Sequence, residues 1–300
     1  MGAPWESTMG STSFGIPTDS SDVSALPPSL VLYGGPGAGK STEVARTFPN
    51  ALYVQSSPTC LKAAADLHAR NPAIMPKVPI RATLDERALA EWPEVGGSTL
   101  KAVATVVQRY VQACEAGTCE FDGIVFDEWN VFCERIYAEL KADTSGRFKG
   151  RSGQTNIFAV MDAFKQFHRT ILSLTRRTRR ATIFVCHYQT PRIDEDDASP
   201  LKGQIKWPGG PKMPMGLSDQ IVEICADADA VIQMVVEEPK PALSFDGPAQ
   251  SAESARRLLT QLEPKWFRKV RGFGINASEP VDIEKGQGLR EVLQKAGFKV

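Results

Sequence analysis

The first unbroken apolar run of the chain, Leu30-Val31-Leu32-Tyr33, is too short for a helix and carries no charge. Such a run predicts a strand buried on both faces. The spacing then turns helical, with Val44, Ala45 and Phe48 on one face. These two periods keep alternating. Residues 51–57 predict a second strand, and 58–72 a helix that starts at Pro58, where a missing N–H costs nothing. Residues 77–84 fit a short strand, and 98–117 a helix stopped by Gly117. The strand FDGIVFDEWN (121–130) leads into an amphipathic helix over 130–143, a polar, basic loop over 144–156 and a long helix over 157–180. A strand at 181–189 follows, then a proline-rich loop to about Pro214, a helix near 216–226 and a strand at 229–238. A linker rich in Pro, Ser and Ala, a strand at 266–274 and a helix at 288–297 close the chain. Strands alternating with helices predict an α/β fold, a mostly parallel central sheet with helices on both faces.

Residues 1–28, rich in Ser, Thr, Gly and Pro, are expected to form a disordered tail, and 29–240 the core. Residues 241–300 are expected to supply a linker plus the strand and helix that complete the core. A hydrophobic content of 42% over 300 residues suffices for a real core, and no apolar run approaches a membrane span. The first residues lack the basic-then-apolar order of a signal peptide, and Glu6 stands where N-myristoylation wants a small hydroxyl residue. The six cysteines are scattered, with only Cys114 and Cys119 close together, which predicts a reduced, cytoplasmic protein without a structural metal. Lys+Arg and Asp+Glu balance at 35 each, so a nucleic-acid partner would have to be met by a local patch.

The chemistry gathers at strand ends. Gly34-Gly35-Pro36-Gly37-Ala38-Gly39-Lys40-Ser41-Thr42 matches the phosphate-loop spacing, between a predicted strand and a predicted helix. Its glycines let backbone N–H groups turn toward an anion, and the following helix adds its positive dipole end. Lys40 would reach the β- and γ-phosphates of ATP, and Ser41 would offer its hydroxyl oxygen to Mg²⁺. Asp127, at the end of an apolar strand, would hold the same ion, and Glu128 would orient and deprotonate the attacking water. The bland reading of Glu128 is an acid stabilising the dipole of the helix that follows. His187 ends a third apolar strand and is the first choice for a γ-phosphate sensor, with Gln189 second; its bland reading is a histidine satisfied by backbone groups.

With GGPGAGKST, GIVFDEW, TIFVCHYQ, DADAVIQM and FRKVRGFG in this order, the chain resembles the RecA-like P-loop ATPases, especially the phage-type group that includes single-strand annealing recombinases. The resemblance implies that the strand bearing His187 lies between those bearing the phosphate loop and Asp127. It also implies that Lys269 and Arg271 reach the nucleotide of a neighbouring subunit in a homo-oligomer. The segment after the second strand, YVQSSP, has no acid where many RecA-like proteins carry their catalytic glutamate. Glu128 must then serve, an arrangement closer to the AAA+ ATPases.

Two segments are expected to touch single-stranded DNA. Arg147, Lys149 and Arg151 lie in a glycine-containing loop, and Lys202, Lys206 and Lys212 surround Trp207, a ring able to stack on a base. Solvated surface loops are their bland reading. Arg176, Arg177, Arg179 and Arg180 are expected to complement the C-terminal dipole of their helix. An ATPase acting on DNA thus competes with a nucleotide kinase, which shares the loop, and with a nucleotide-binding interaction protein.

Overall fold

The computed structural model describes residues 9–11, 17–19, 27–143, 146–150, 153–190, 192–193, 195, 202–207, 210–212, 228–237, 255–259, 269–270, 281–282, 288–295, 298 and 300. Strands β1 (Met9–Ser11) and β2 (Pro17–Asp19) pair antiparallel, so the segment expected as a tail contains a short ladder.

The centre follows the predicted alternation: β3 (Ser29–Gly34), α1 (Lys40–Thr47), β4 (Leu52–Gln55), α2 (Lys62–Arg70), β5 (Arg81–Thr83), α3 (Glu86–Glu91), α4 (Thr99–Glu115), β6 (Gly123–Asp127), α5 (Trp129–Ala142), α6 (Ile157–Arg177) and β7 (Ala181–Gln189). Helix α2 begins four residues after Pro58, and the short α3 was not foreseen. Asp85 caps α3 by accepting the Ala88 N–H at 2.8 Å. The stretch after β7, expected as a loop, folds back on itself through β8 (Arg192–Ile193), β9 (Ile205–Trp207) and β10 (Gly210–Pro211). Strand β11 (Ala230–Glu237) is as predicted, and β12 (Ala255–Leu259) lies inside the expected linker. Strands β13 (Lys269–Val270) and β14 (Val281–Asp282) and helix α7 (Leu289–Lys295) follow. The helix expected near 216–226 lies outside the described residues.

The main sheet runs β14-β12-β11-β3-β7-β6-β4-β5, with β10 added to β7 and β13 to β11. From β11 to β5 every neighbouring pair is parallel, while β12, β13 and β14 join antiparallel. The fold is α/β, and β7 lies between β3 and β6, the order the resemblance implied. Apolar runs in β3, β6 and β7 are buried because helices cover both faces. One face packs under α1, α2 and α7 through Leu30, Val44, Leu61 and Leu293, and the other under α4, α5 and α6 through Val107, Trp129, Ile136 and Phe164.

Polar pins fix both layers. Glu139 on α5 caps the start of α4, accepting from Ser98 Oγ at 2.7 Å and the Thr99 N–H at 2.6 Å. At the opposite end of α4, Glu115 pairs with Arg177 of α6 at 2.7 Å. Helix α5 therefore runs antiparallel to α4 and α6. Arg176 donates to Ser29 Oγ at 3.0 Å and faces Asp229 at 3.8 Å, and Arg180 donates to the Cys119 carbonyl at 3.3 Å. These arginines tie α6 to neighbouring elements besides lying near its dipole end. On the other face Glu43 of α1 accepts the Leu289 N–H at 2.7 Å, anchoring the C-terminal helix to the core. Among the described residues no helix is long and apolar enough to cross a membrane.

Candidate nucleotide-binding site

The C-terminal ends of β3, β7 and β6 lie side by side and carry the predicted motifs. The loop from Gly34 to Gly39 needs its glycines at two places above all. Gly39 caps α1 with a φ of 83°, a left-handed conformation that side chains resist. At Gly34 a Cβ would stand 2.2 Å from the Met234 carbonyl oxygen, so only glycine lets β3 and β11 close up there. Lys40, at the start of α1, donates to the Gly34 carbonyl at 3.1 Å and the Gly35 carbonyl at 2.8 Å. Burial lowers its pKa below the ordinary lysine value, and the nearby Asp127 opposes that shift.

Ser41 Oγ donates to Asp127 Oδ1 at 2.9 Å, which joins the loop helix to β6. Asp127 is fully buried, and its Oδ2 has no hydrogen-bond partner among the described residues. Burial chiefly raises its pKa, to about 6, against the Ser41 hydrogen bond. A buried carboxylate with a free oxygen beside a serine hydroxyl suits a hard, oxygen-seeking cation such as Mg²⁺. These two residues fit that ion, which would supply positive charge for the phosphate oxygens.

Glu128 lies in a different environment. Its backbone is left-handed, with φ 59° and ψ 47°, and it caps α5 through its backbone, with no hydrogen bond from its own side chain to the helix. For a residue with a long side chain this conformation is uncommon and costs energy, a pattern that clusters at functional sites. Its carboxylate accepts from Ser56 Oγ, just past β4, and its Oε1 lies 3.9 Å from His187 Nε2. That separation is an ion-pair distance, longer than a hydrogen bond. His187 first, then Ser56 and Cys60, hold the Glu128 carboxyl down at about 2, while burial pushes the other way. Asn130, buried at the start of α5, accepts the His187 N–H through Oδ1 at 2.9 Å, and the His187 carbonyl accepts the Lys212 N–H at 2.8 Å. His187 is therefore fixed to α5 and to the excursion after β7.

The structure thus brings Gly34–Thr42, Asp127, Glu128 and His187 together. Gln189 pairs with Gly210, outside this cluster. Ser56, Cys60 and Asn130 were missed in the sequence. The signal for Ser56 was a hydroxyl residue at the end of the second strand, where only an acid was sought.

The other expected residues fall outside this cluster or outside the described residues. Lys269 stands on β13 opposite Val231, which pairs with Val31, so it is two strands from β3 and three residues down from Gly34. Arg271 and Arg151 lie outside the described residues. Arg147 places its guanidinium 5.0 Å from the Phe148 ring centre, and Lys149 is exposed and forms an antiparallel bridge with Thr155. Lys212, expected on DNA, pairs instead with Glu134 of α5 at 2.9 Å. Lys206 and Trp207 belong to β9, which pairs antiparallel with β8.

A parallel sheet with a phosphate loop on one strand and a carboxylate pair on another defines a P-loop nucleotide-binding protein. The chain belongs to the AAA-domain family, whose model matches residues 26–272. Among solved structures, a KaiC-like protein from the hyperthermophilic archaeon Pyrococcus horikoshii is similar at 12% identity, covering 78% of each chain with a TM-score of 0.35. No curated protein matches the chain in sequence.

Proposed function

We propose that this P-loop ATPase domain binds ATP with Mg²⁺ and hydrolyses it. The observation that carries this reading is Glu128, held in a left-handed backbone between Ser56 and His187, one residue after Asp127. In this reading the loop amides and Lys40 bind the phosphates, and Ser41 and Asp127 hold the ion. Glu128 orients the water. A carboxylate with a pKa near 2 is a poor proton acceptor, since a general base works best with a pKa close to the working pH. His187 is the largest cause of that low value. A His187 that turned to the γ-phosphate would release Glu128 toward its ordinary pKa and make it a better base as substrate arrives. A nucleotide kinase has no need of a carboxylate poised in this way, so Glu128 favours hydrolysis.

Three finer parts of the reading rest on the resemblance and on placement. The active form is a homo-oligomer in which Lys269 and Arg271 complete a neighbour's site; the position of β13 away from its own phosphate loop supports action in trans. The partner is single-stranded DNA, engaged through Arg147, Lys149 and Arg151 and the loop with Lys206 and Trp207. The biological setting is phage-type recombination or replication.

The test is ATP turnover with and without single-stranded DNA, together with phosphoryl transfer to nucleoside monophosphates. Glu128→Gln is expected to keep Mg·ATP binding and lose roughly 10²–10⁴-fold in turnover, the usual worth of a general base. Normal hydrolysis by that variant would return Glu128 to a helix-capping role. Transfer to a monophosphate would favour the kinase. Turnover indifferent to DNA would remove the DNA partner and leave the ATPase standing.

A further inference from the structure

Gln55, the last residue of β4, is fully buried, and its register partner on β6 is Asp127. Register partners on neighbouring parallel strands send their side chains to the same face, with the strands about 4.8 Å apart. Gln55 Nε2 donates to Thr83 Oγ1 at 2.8 Å. Thr83 belongs to β5, on the flank of β4 away from β6. The amide nitrogen is taken up on that flank, while the register sets Gln55 beside Asp127 on the other. Gln55 Oε1 and Asp127 Oδ2 are both buried, and among the described residues neither has a hydrogen-bond partner. Two acceptors cannot satisfy each other. One left unmade in the interior costs about 1–3 kcal/mol, and more when charged. Neighbouring orphans of this kind call for a species that brings hydrogens or positive charge.

We propose that Gln55 belongs to the outer shell of the ion held by Ser41 and Asp127, with its Oε1 accepting a hydrogen from a water bound to that ion. The proposal rests on the metal part of the function proposed above and not on hydrolysis. Mg²⁺ gives up its waters reluctantly and usually keeps several, so groups that receive those waters help to orient the ion. Gln55 is a positioning residue that touches neither nucleotide nor reacting atoms. It also gives a use to the second strand end, where the sequence offers no acid.

The test titrates Mg²⁺, and Mn²⁺ followed by its paramagnetic resonance, into the full chain with ADP, beside ADP binding in excess EDTA. Gln55→Leu keeps the volume and removes the oxygen. It is expected to weaken metal affinity by about tenfold, the lower end for outer-shell changes, and to leave metal-free ADP affinity unchanged. Gln55→Glu keeps an acceptor in place and is expected to bind the metal at least as tightly as the native chain. Thr83→Val, which frees the amide to turn, is expected to weaken metal binding in the same direction and covers the case in which Gln55→Leu fails to fold. Unchanged metal affinity in folded Gln55→Leu or in Thr83→Val, or an equal loss in the Leu and Glu variants, overturns the proposal. Asp127→Asn separates the two levels. Retained metal binding there sinks the metal reading itself, whereas its loss alongside an unaffected Gln55→Leu sinks only the role of Gln55.

Discussion

The two flanks of β3 are built in different ways. On one side β7, β6 and β4 run parallel to it, buried under helices, and bring His187, Asp127, Glu128 and Gln55 to one edge. On the other side β11 is followed by antiparallel β12, β13 and β14, of five residues or fewer, which carry Lys269 and lead toward Arg271. The first flank places every proposed reacting group of its own site within one constellation. Among the described residues, the second offers that constellation the carbonyl of Met234, which packs so closely that position 34 must be glycine. Under the proposed function the two flanks cooperate in catalysis between molecules. In that reading the difference separates what one chain does alone from what it does with a neighbour.

The largest effect belongs to the parallel flank. Lys40→Ala is expected to abolish detectable ATP hydrolysis and sharply weaken nucleotide binding, because a point charge on the β- and γ-phosphates is lost. Turnover and nucleotide titration check this. Near-native turnover would take the phosphate loop out of the mechanism.

Next comes the antiparallel flank. Arg271→Ala is expected to bind ATP normally and lose about 10³-fold in turnover, the scale of a positive charge delivered to the transition state from a neighbour. Mixing Arg271→Ala with Glu128→Gln should recover some activity, because a mixed interface can join an intact Glu128 to an intact Arg271. A cis-acting arginine allows no such rescue. A chain that stays monomeric with ATP and DNA, or a mixture without recovery at any ratio, would erase the cooperation between the flanks.

The same contrast explains what could be read from the sequence. The strands of the parallel flank show as apolar runs because burial on both faces demands them, and the phosphate loop shows because glycine is forced by backbone geometry. Asp127 and His187 could be placed because each ends such a run, and Lys40 and Ser41 because they directly follow the glycine loop. Strands β8, β9, β10 and β14, of two or three residues, are stitched by pairing instead of by their own periodicity, so proline and glycine masked them. Ser56 and Gln55 stayed hidden for another reason. Their roles come from what stands across the strands, Glu128 in one case and Asp127 in the other, and no local pattern encodes a cross-strand neighbour. The pairing of Lys212 with Glu134 was hidden in the same way.

The smallest effect tests how dry the parallel flank is behind Glu128. His168 of α6 is fully buried, with its ring centre 5.7 Å from that of Trp129 and 5.0 Å from that of Phe184. Burial first, then the neighbouring Arg169, lowers its pKa from 6.5 to about 3. The folded chain therefore keeps this imidazole neutral at a pH where the unfolded chain would bind a proton. The folded pKa lies below the unfolded one, so the unfolded state binds more protons between them. The stabilisation is present in full above about pH 6.5 and is lost as pH falls toward 3. A one-unit shift is worth about 1.4 kcal/mol, so stability should fall by roughly that amount per pH unit once the pH is well below 6.5. Denaturant unfolding from pH 7.5 to about 5 measures the slope for the native chain and for His168→Phe, whose ring cannot titrate. The native chain should lose stability more steeply on acidification, with the gap closing above pH 7. Parallel slopes in the two proteins would show water reaching His168, and with it a looser layer beneath Glu128 than the packing of Trp129 and Phe184 implies.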